Sequence, residues 1–109
     1  MGGKAARDKG ANFEREVVNW HRERGVEAER IPLSGAVKGN YKGDLKIGPQ
    51  QALLAECKRR ARAYQDLYDA LDQDGSDMLF IRKDRGRTLV VLPIETYEAI
   101  LEWIGWKDA

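Results

Sequence analysis

The sequence predicts an α/β fold in which a central mixed sheet of five strands is flanked by helices. Helical spacing of apolar residues occurs in three segments, and five short apolar runs bounded by turn residues separate them. The order is helix, three strands, helix, two strands, helix, which is typical of layered α/β domains. With 109 residues the chain has the length of one domain. We place that domain at residues 11–109, after a flexible leader over residues 1–10.

The first helix is predicted over residues 11–24. Phe13, Val17 and Trp20 recur at helical spacing, His21 is a further candidate for the same stripe, and a glycine follows the last turn. On a helical wheel, Glu14 lies at the flank of this apolar stripe. Its carboxylate is therefore expected at the edge of the core, where it would be half-buried.

The remaining elements follow from shorter patterns. Apolar runs between turn residues predict strands over 26–33, 44–47, 52–58, 78–81 and 88–92. Helical spacing predicts helices over 64–71, ending near Gly75, and over 94–104, where Pro93 precedes the first turn. In the third strand, Leu53, Ala55 and Cys57 are predicted on the inward face.

The charges are sorted along the chain. The net charge of +1 argues against a nucleic-acid partner, but residues 1–62 carry 14 basic and 8 acidic side chains, and residues 63–109 carry 5 and 10. Two dense basic runs lie over 58–62 and 82–87. The near-neutral total is therefore a cancellation between a basic and an acidic half.

Cysteine and histidine usage limits the chemistry. Cys57 is the single cysteine and His21 the single histidine, so an intramolecular disulfide and a zinc site with two histidines are excluded. No apolar run has the length of a membrane span, and the amino terminus does not resemble a signal peptide. We expect a protein that acts inside the cell, in cytoplasm or nucleoid, and a metal held by oxygen ligands.

The strongest chemical signal is Asp44 followed by the run Glu56, Cys57 and Lys58. On adjacent strands, Asp44 and Glu56 would meet at one end of the sheet, with Lys58 on the face of Glu56. Two carboxylates and the Cys57 backbone carbonyl suit Mg²⁺. Lys58 can orient the attacking water while the metal acts as a Lewis acid. This combination predicts phosphodiester hydrolysis.

The chain resembles the PD-(D/E)xK nuclease superfamily and, within it, the archaeal-type Holliday junction resolvases. The resemblance extends over residues 9–94 and is carried by GANFEREV at 10–17, RIPLSG at 30–35, Gly43-Asp44, and Glu56-Cys57-Lys58. It implies a restriction-endonuclease-like core and a homodimer that cuts branched or duplex DNA with Mg²⁺, for which Mn²⁺ can substitute. The family pattern has proline where this chain has Gly43, which bears on the geometry of the preceding loop.

The resemblance also assigns roles to individual residues. It implies a catalytic set of Glu14, Ser34, Asp44, Glu56 and Lys58, with Glu14 as an additional candidate ligand beside the Asp44 and Glu56 metal pair. DNA-contacting positions come from the family pattern and from the basic runs: Arg15, Arg30, Lys38, Lys42, Arg59, Arg60, Arg62 and Gln65.

Other interpretations compete with a resolvase. The protein could be another PD-(D/E)xK nuclease, such as a nickase, or a nucleic-acid-binding module without catalysis. Independently of these functions, each site residue also has a structural interpretation: Glu56 and Lys58 could form a surface ion pair, Ser34 could be a turn residue, and Gln65 could be a helix-surface amide.

Overall fold

The computed structural model of the chain describes residues 2–31 and 44–107. It divides into two compact units, Met1–Arg60 with Gly105–Ala109, and Ala61–Ile104. The first unit contains helix α1 (Gly2–Glu23), strands β1 (Ala28–Arg30), β2 (Leu45–Ile47) and β3 (Leu53–Ala55), and a 3₁₀ turn over Pro49–Gln51. The second unit contains α2 (Gln65–Gln73), β4 (Leu79–Ile81), β5 (Leu89–Val91) and α3 (Ile94–Trp103).

Helix α1 begins well before the predicted start at Ala11. The Lys4 ammonium lies 3.9 Å from the Asp8 carboxylate one turn later, an exposed i,i+4 pair that favours helix. Gly10 does not interrupt the helix, because a single glycine costs only about 1 kcal/mol. The predicted start was therefore wrong, and flexibility of residues 1–10 stays a prediction.

The end of α1 is where the glycine pattern placed it. Gly25 has a φ of 75°, the left-handed conformation that glycine adopts without steric cost. The Gly25 N–H donates to the Arg22 carbonyl at 3.1 Å, and the Val26 N–H donates to the His21 carbonyl at 2.9 Å. This pair of hydrogen bonds is a Schellman motif, which satisfies carbonyls left open at the end of a helix.

The face of α1 that enters the core is displaced from the predicted stripe. Among the residues of α1 whose burial the structure describes, Glu14, Val18 and His21 are buried, whereas Phe13 and Trp20 are only half-buried. The prediction placed Glu14 only at the flank of the stripe and did not include Val18. A carboxylate that receives an ion-pair partner and an imidazole that is neutral can both be buried, and the helix rotates accordingly.

The sheet of the first unit is antiparallel, in the order β1-β2-β3. Ala28 is opposite Ile47 and Arg30 opposite Leu45 in the first pair of strands, and Leu45 is opposite Ala55 in the second. Leu45 is completely buried. The core of this unit combines these strand residues with α1 and the flanking Val26 and Ile31.

Strand β3 departs from its predicted faces at one position. Ala55 and Cys57 are half-buried, but Leu53, predicted to face inward, is 52% exposed. Leu53 is the first residue of this three-residue strand, and only Ala52 separates it from the 3₁₀ turn. The inward orientation predicted for Leu53 was therefore wrong.

The second unit is a hairpin with a helix on either side in sequence. Strands β4 and β5 pair antiparallel, with Phe80 opposite Val90, as predicted. Helix α2 ends at Gln73, close to the predicted stop at Gly75, which has a φ of 62°. In α3, Leu101 is buried, but Ile94 and Ile104 of the predicted stripe are about half exposed.

The predicted mixed five-stranded sheet is not what the described residues form. Their five strands lie in two separate antiparallel sheets, one of three strands and one of two. Every pairing joins strands that are consecutive in the chain and antiparallel, and an antiparallel pair does not need the long crossover connection that a parallel pair requires. The α/β class is confirmed, and the single mixed sheet was wrong for this part of the chain.

Candidate functional site

Asp44 is fixed at the end of strand β2 by three hydrogen bonds. Its backbone carbonyl accepts from the Ile31 N–H at 2.9 Å, and its N–H donates to the Ala55 carbonyl at 2.7 Å. Its carboxylate oxygen Oδ2 accepts from the Cys57 N–H at 2.7 Å. The backbone and the side chain of Asp44 therefore both bridge to the segment that carries the predicted metal and lysine positions.

Glu56 and Lys58 follow directly on this segment and are both exposed. Because Asp44 bonds to Ala55 and to Cys57, the residues on either side of Glu56, the two predicted metal-binding carboxylates belong to one end of the sheet. No ion pair joins Glu56 to Lys58 within the described residues. The surface ion pair between Glu56 and Lys58, which was the structural alternative to a catalytic role for these residues, is therefore not formed.

The pKa of the Cys57 thiol reflects the negative charge at this end of the sheet. Burial raises its pKa to about 11, with further contributions from the negative charges of Asp44, Glu14 and Glu56. Three of the carboxylates singled out in the sequence thus act on one group. The raised pKa keeps Cys57 as a neutral thiol at physiological pH, so it is not a nucleophile.

Glu14 is paired rather than free. The Arg30 Nε donates to Glu14 Oε1 at 2.9 Å, and the Glu14 side chain is only 10% exposed. Helix α1 and strand β1 position the two partners, which are far apart in sequence. Arg30 was predicted to contact DNA, and nothing in the spacing of the sequence indicated that it would bind Glu14.

The other predicted DNA contacts lie on the surface or outside the described residues. Arg15 donates to Asn12 Oδ1 at 3.1 Å, and Gln65 Nε2 donates to Asp69 Oδ1 at 2.9 Å, both exposed. The remaining described positions, Arg59, Arg60 and Arg62, are exposed. Three predicted site residues and the family-pattern position fall outside the described residues: Ser34, Lys38, Lys42 and Gly43.

The donors at the sheet end fit a hard divalent cation. Within residues 2–31 and 44–107, no group of three His, Cys, Asp or Glu side chains comes together to hold a metal. Mg²⁺ does not need such a group, because it is held by one or two carboxylates and keeps several waters. The carboxylates of Asp44, through its Oδ1 oxygen, and of the exposed Glu56 would be the two that Mg²⁺ needs. The Cys57 carbonyl stays a predicted third.

A carboxylate pair and a lysine at the end of a sheet packed on a helix fit the class to which the sequence showed resemblance, the PD-(D/E)xK nucleases. The narrower relationship is confirmed by a family model: the one described as archaeal Holliday junction resolvase, Hjc, matches residues 5–101. The chain belongs to this family. Neither the curated proteins nor the solved structures contain a match to the chain.

None of the helices in the described ranges combines the length and the apolar character that crossing a membrane requires.

Proposed function

We propose that the protein is a divalent-metal-dependent endonuclease that resolves Holliday junctions. The observation that carries the proposal is the Asp44 carboxylate held by the Cys57 N–H at 2.7 Å, next to Glu56 and Lys58, in a chain of the resolvase family. The family implies nuclease activity on branched DNA. Mg²⁺ suits the oxygen donors of the site, and Mn²⁺ as a substitute is what the resemblance implies.

In this proposal Asp44 and Glu56 hold the metal, and the Cys57 carbonyl is a further ligand. When bound, the metal supplies Lewis acidity and lowers the pKa of a coordinated water. Lys58 is exposed on the same segment, where its ammonium orients the attacking water and offsets negative charge that develops on the phosphate. The Cys57 N–H holds Asp44 Oδ2, and Oδ1 would be the oxygen of this carboxylate that binds the metal.

Glu14 and Ser34 complete the proposed catalytic set. The Arg30 guanidinium fixes the rotamer of Glu14 and offsets part of the charge that Glu14 adds to the site. This arrangement supports a positioning role for Arg30 in addition to its predicted contact with DNA. A homodimer would present two such sites to a four-way junction, as the resemblance implies.

The decisive experiment measures cleavage of a labelled four-way junction with Mg²⁺ and with chelator. We expect paired symmetric nicks with Mg²⁺ and none with chelator. Asp44→Asn and Lys58→Ala should lose cleavage by at least about 100-fold, the size typical of losing general acid-base or charge stabilisation, and keep junction binding. Glu16→Gln, which removes an exposed carboxylate from α1, serves as the matched control with normal cleavage.

Two outcomes distinguish the competing functions. Cleavage of linear duplex as fast as the junction would favour a different nuclease of the superfamily and contradict a resolvase. Junction binding without any cleavage by the wild-type protein, across Mg²⁺ and Mn²⁺, would favour a non-catalytic binding module.

A further inference from the structure

The β4–β5 hairpin carries a cationic concavity that the predicted nuclease site does not use. It is lined by Ile81, Arg82, Lys83, Arg87 and Leu89, and its volume is about 620 Å³. All five residues belong to the second unit, whereas the Asp44 site lies in the first. The concavity is therefore a separate candidate binding surface.

The turn at the end of the hairpin holds one wall of this concavity in place. The Gly86 N–H donates to the Lys83 carbonyl at 2.9 Å. A side chain at Gly86 would be only 2.5 Å from Lys83 Cγ, so the aliphatic part of Lys83 lies directly against the glycine. Below the turn, Ile81 and Leu89 are paired across the strands, which brings the cations on either side of them together.

The three cations of the concavity have no carboxylate partner in the part of the chain that the structure describes. Arg82, Lys83 and Arg87 make no ion pair within 4.0 Å there, although Asp84 is in the same turn. Three like charges around one hollow repel each other, and an anion that enters the hollow relieves this repulsion. The concavity is suited to a ligand with more than one negative charge.

The apolar residues that line the concavity indicate which kind of anion would bind there. Ile81 is half-buried and Leu89 is 47% exposed, so apolar surface lies between the cations. A nucleic-acid backbone alternates charged phosphates with deoxyribose, which has apolar faces. Cations contact the phosphates and fix the position of the strand, without reading the base sequence.

We propose that the concavity formed by Ile81, Arg82, Lys83, Arg87 and Leu89 is a DNA-backbone site that binds phosphates independently of sequence. The proposal rests on DNA being the substrate of the proposed function. It assigns the hairpin a binding role that requires neither the metal nor the Asp44 site. The hairpin would bind a duplex arm of the junction, and the Asp44 site in the first unit would cleave the DNA.

The test uses the hairpin's own fourth cation as a control. Arg85 is in the same turn and does not line the concavity, so Arg85→Gln removes the same charge from a neighbouring position. Affinity for a labelled four-way junction is measured in chelator at a series of salt concentrations, for Arg82→Gln, Lys83→Gln, Arg87→Gln and the triple variant. Thermal unfolding of each variant confirms that it is folded.

Each phosphate contact contributes about 0.9 to the slope of log affinity against log salt. For each chain bound to the junction, we expect a single variant to reduce the magnitude of the slope by about 0.9 and the triple variant by about 2.7, and Arg85→Gln to leave it unchanged. An unchanged slope in the triple variant would overturn the proposal. Equal reductions in Arg85→Gln and in the single variants would also overturn it, because the effect would then be one of net charge.

The outcome is separable from that of the proposed nuclease. Binding in chelator does not depend on cleavage, so altered slopes in a protein that never cuts would support the hairpin site and contradict the nuclease. Normal cleavage with unchanged slopes would contradict the hairpin site alone. Absence of DNA binding by the wild-type protein would contradict both.

Discussion

Burial of the Glu14 carboxylate makes the first unit depend on a single guanidinium. The Glu14 side chain is 10% exposed, and Arg30, 28% exposed, donates to it at 2.9 Å. A carboxylate at this depth needs a partner, because an unpaired buried charge is far more costly than an exposed one. The pair fixes α1 relative to β1 and keeps Glu14 at the sheet end where its charge acts on Cys57.

Replacing Arg30 should therefore destabilise the protein through Glu14. We expect Arg30→Gln to lower the free energy of unfolding by about 1–3 kcal/mol, the cost of a buried group without its hydrogen-bond partner. The measurement is urea unfolding. The double variant Glu14→Gln/Arg30→Gln should recover part of the loss, since it no longer buries a charge. Equal stability of Arg30→Gln and wild type would contradict the inferred dependence.

His21 is a second buried polar residue of α1, and its environment favours the neutral imidazole. Its Nδ1 donates to the Val17 carbonyl at 2.7 Å, and its ring contacts Trp20 edge to face, with centroids 5.0 Å apart. Burial lowers the pKa of His21 below its ordinary 6.5, the nearby Arg24 charge lowers it further, and the hydrogen bond to Val17 opposes this.

This lowered pKa predicts a loss of stability in mild acid. Between the folded-state pKa and 6.5 the unfolded chain binds more protons than the folded one, so the free energy of unfolding falls as pH drops below about 6.5. The measurement is the unfolding midpoint across a pH series from about 7.5 to about 5, which spans this range. His21→Gln should show a shallower decline than wild type over this range. Parallel curves for the two proteins would contradict the assignment.

At the scale of elements, the positions of glycine and proline predicted several boundaries of helices. The buried face of α1 and the pairing of the strands could not be predicted in the same way. The ends of α1 and α2 near Gly25 and Gly75 follow from the left-handed conformation that glycine permits. The buried face of α1 was predicted only in part, because the predicted stripe omitted Val18. Glu14 was placed at the edge of the core, but the partner that allows its full burial, Arg30, is distant in sequence. Parallel pairing was inferred from element order alone, which does not specify which strands hydrogen-bond.

Two glycines give a matched test of the elements that contain them. Gly10 lies inside α1, and apart from the adjacent residues and the backbone of the helix, no atom of the described residues lies within 4 Å of the position that a Cβ would occupy there. A Cβ on Gly48, in contrast, would lie 2.4 Å from the Trp106 ring. Gly48 also has a φ of 95°. We expect Gly10→Ala to stabilise the protein by up to about 1 kcal/mol and Gly48→Ala to destabilise it.

Unfolding of both variants in urea is the measurement. No change in Gly10→Ala would indicate that residues 1–10 are a flexible leader, as the sequence suggested, and not a continuation of α1. A neutral Gly48→Ala would contradict the close packing of Trp106 on the glycine.

At the scale of the whole molecule, the segregated charges are compatible with DNA as the substrate. The basic run at 58–62 adjoins the Asp44 site in sequence, and the second run includes the hairpin concavity. The acidic side chains of α2 belong to a helix that has no buried residue. Composition gave a net charge near zero, and only the distribution of the charges along the chain shows how a phosphate backbone could bind.

The subunit number is a prediction at this scale. The resemblance implies a homodimer, and Trp103 is 78% exposed on α3, an unusual position for a large aromatic side chain. We expect a solution mass of two chains, shifted towards one chain in Trp103→Glu and unchanged in Trp103→Phe. A monomeric wild-type protein at micromolar concentration would contradict the dimer.

The contact between Trp106 and Gly48 also has a consequence for the order of folding. Because Trp106 belongs to the same compact unit as Gly48 while residues 61–104 form the other, the first unit is discontinuous along the chain. Domains form from the amino terminus onwards during synthesis. The first unit can begin to fold early, but the ribosome must finish the second unit's segment before the tryptophan that covers Gly48 emerges.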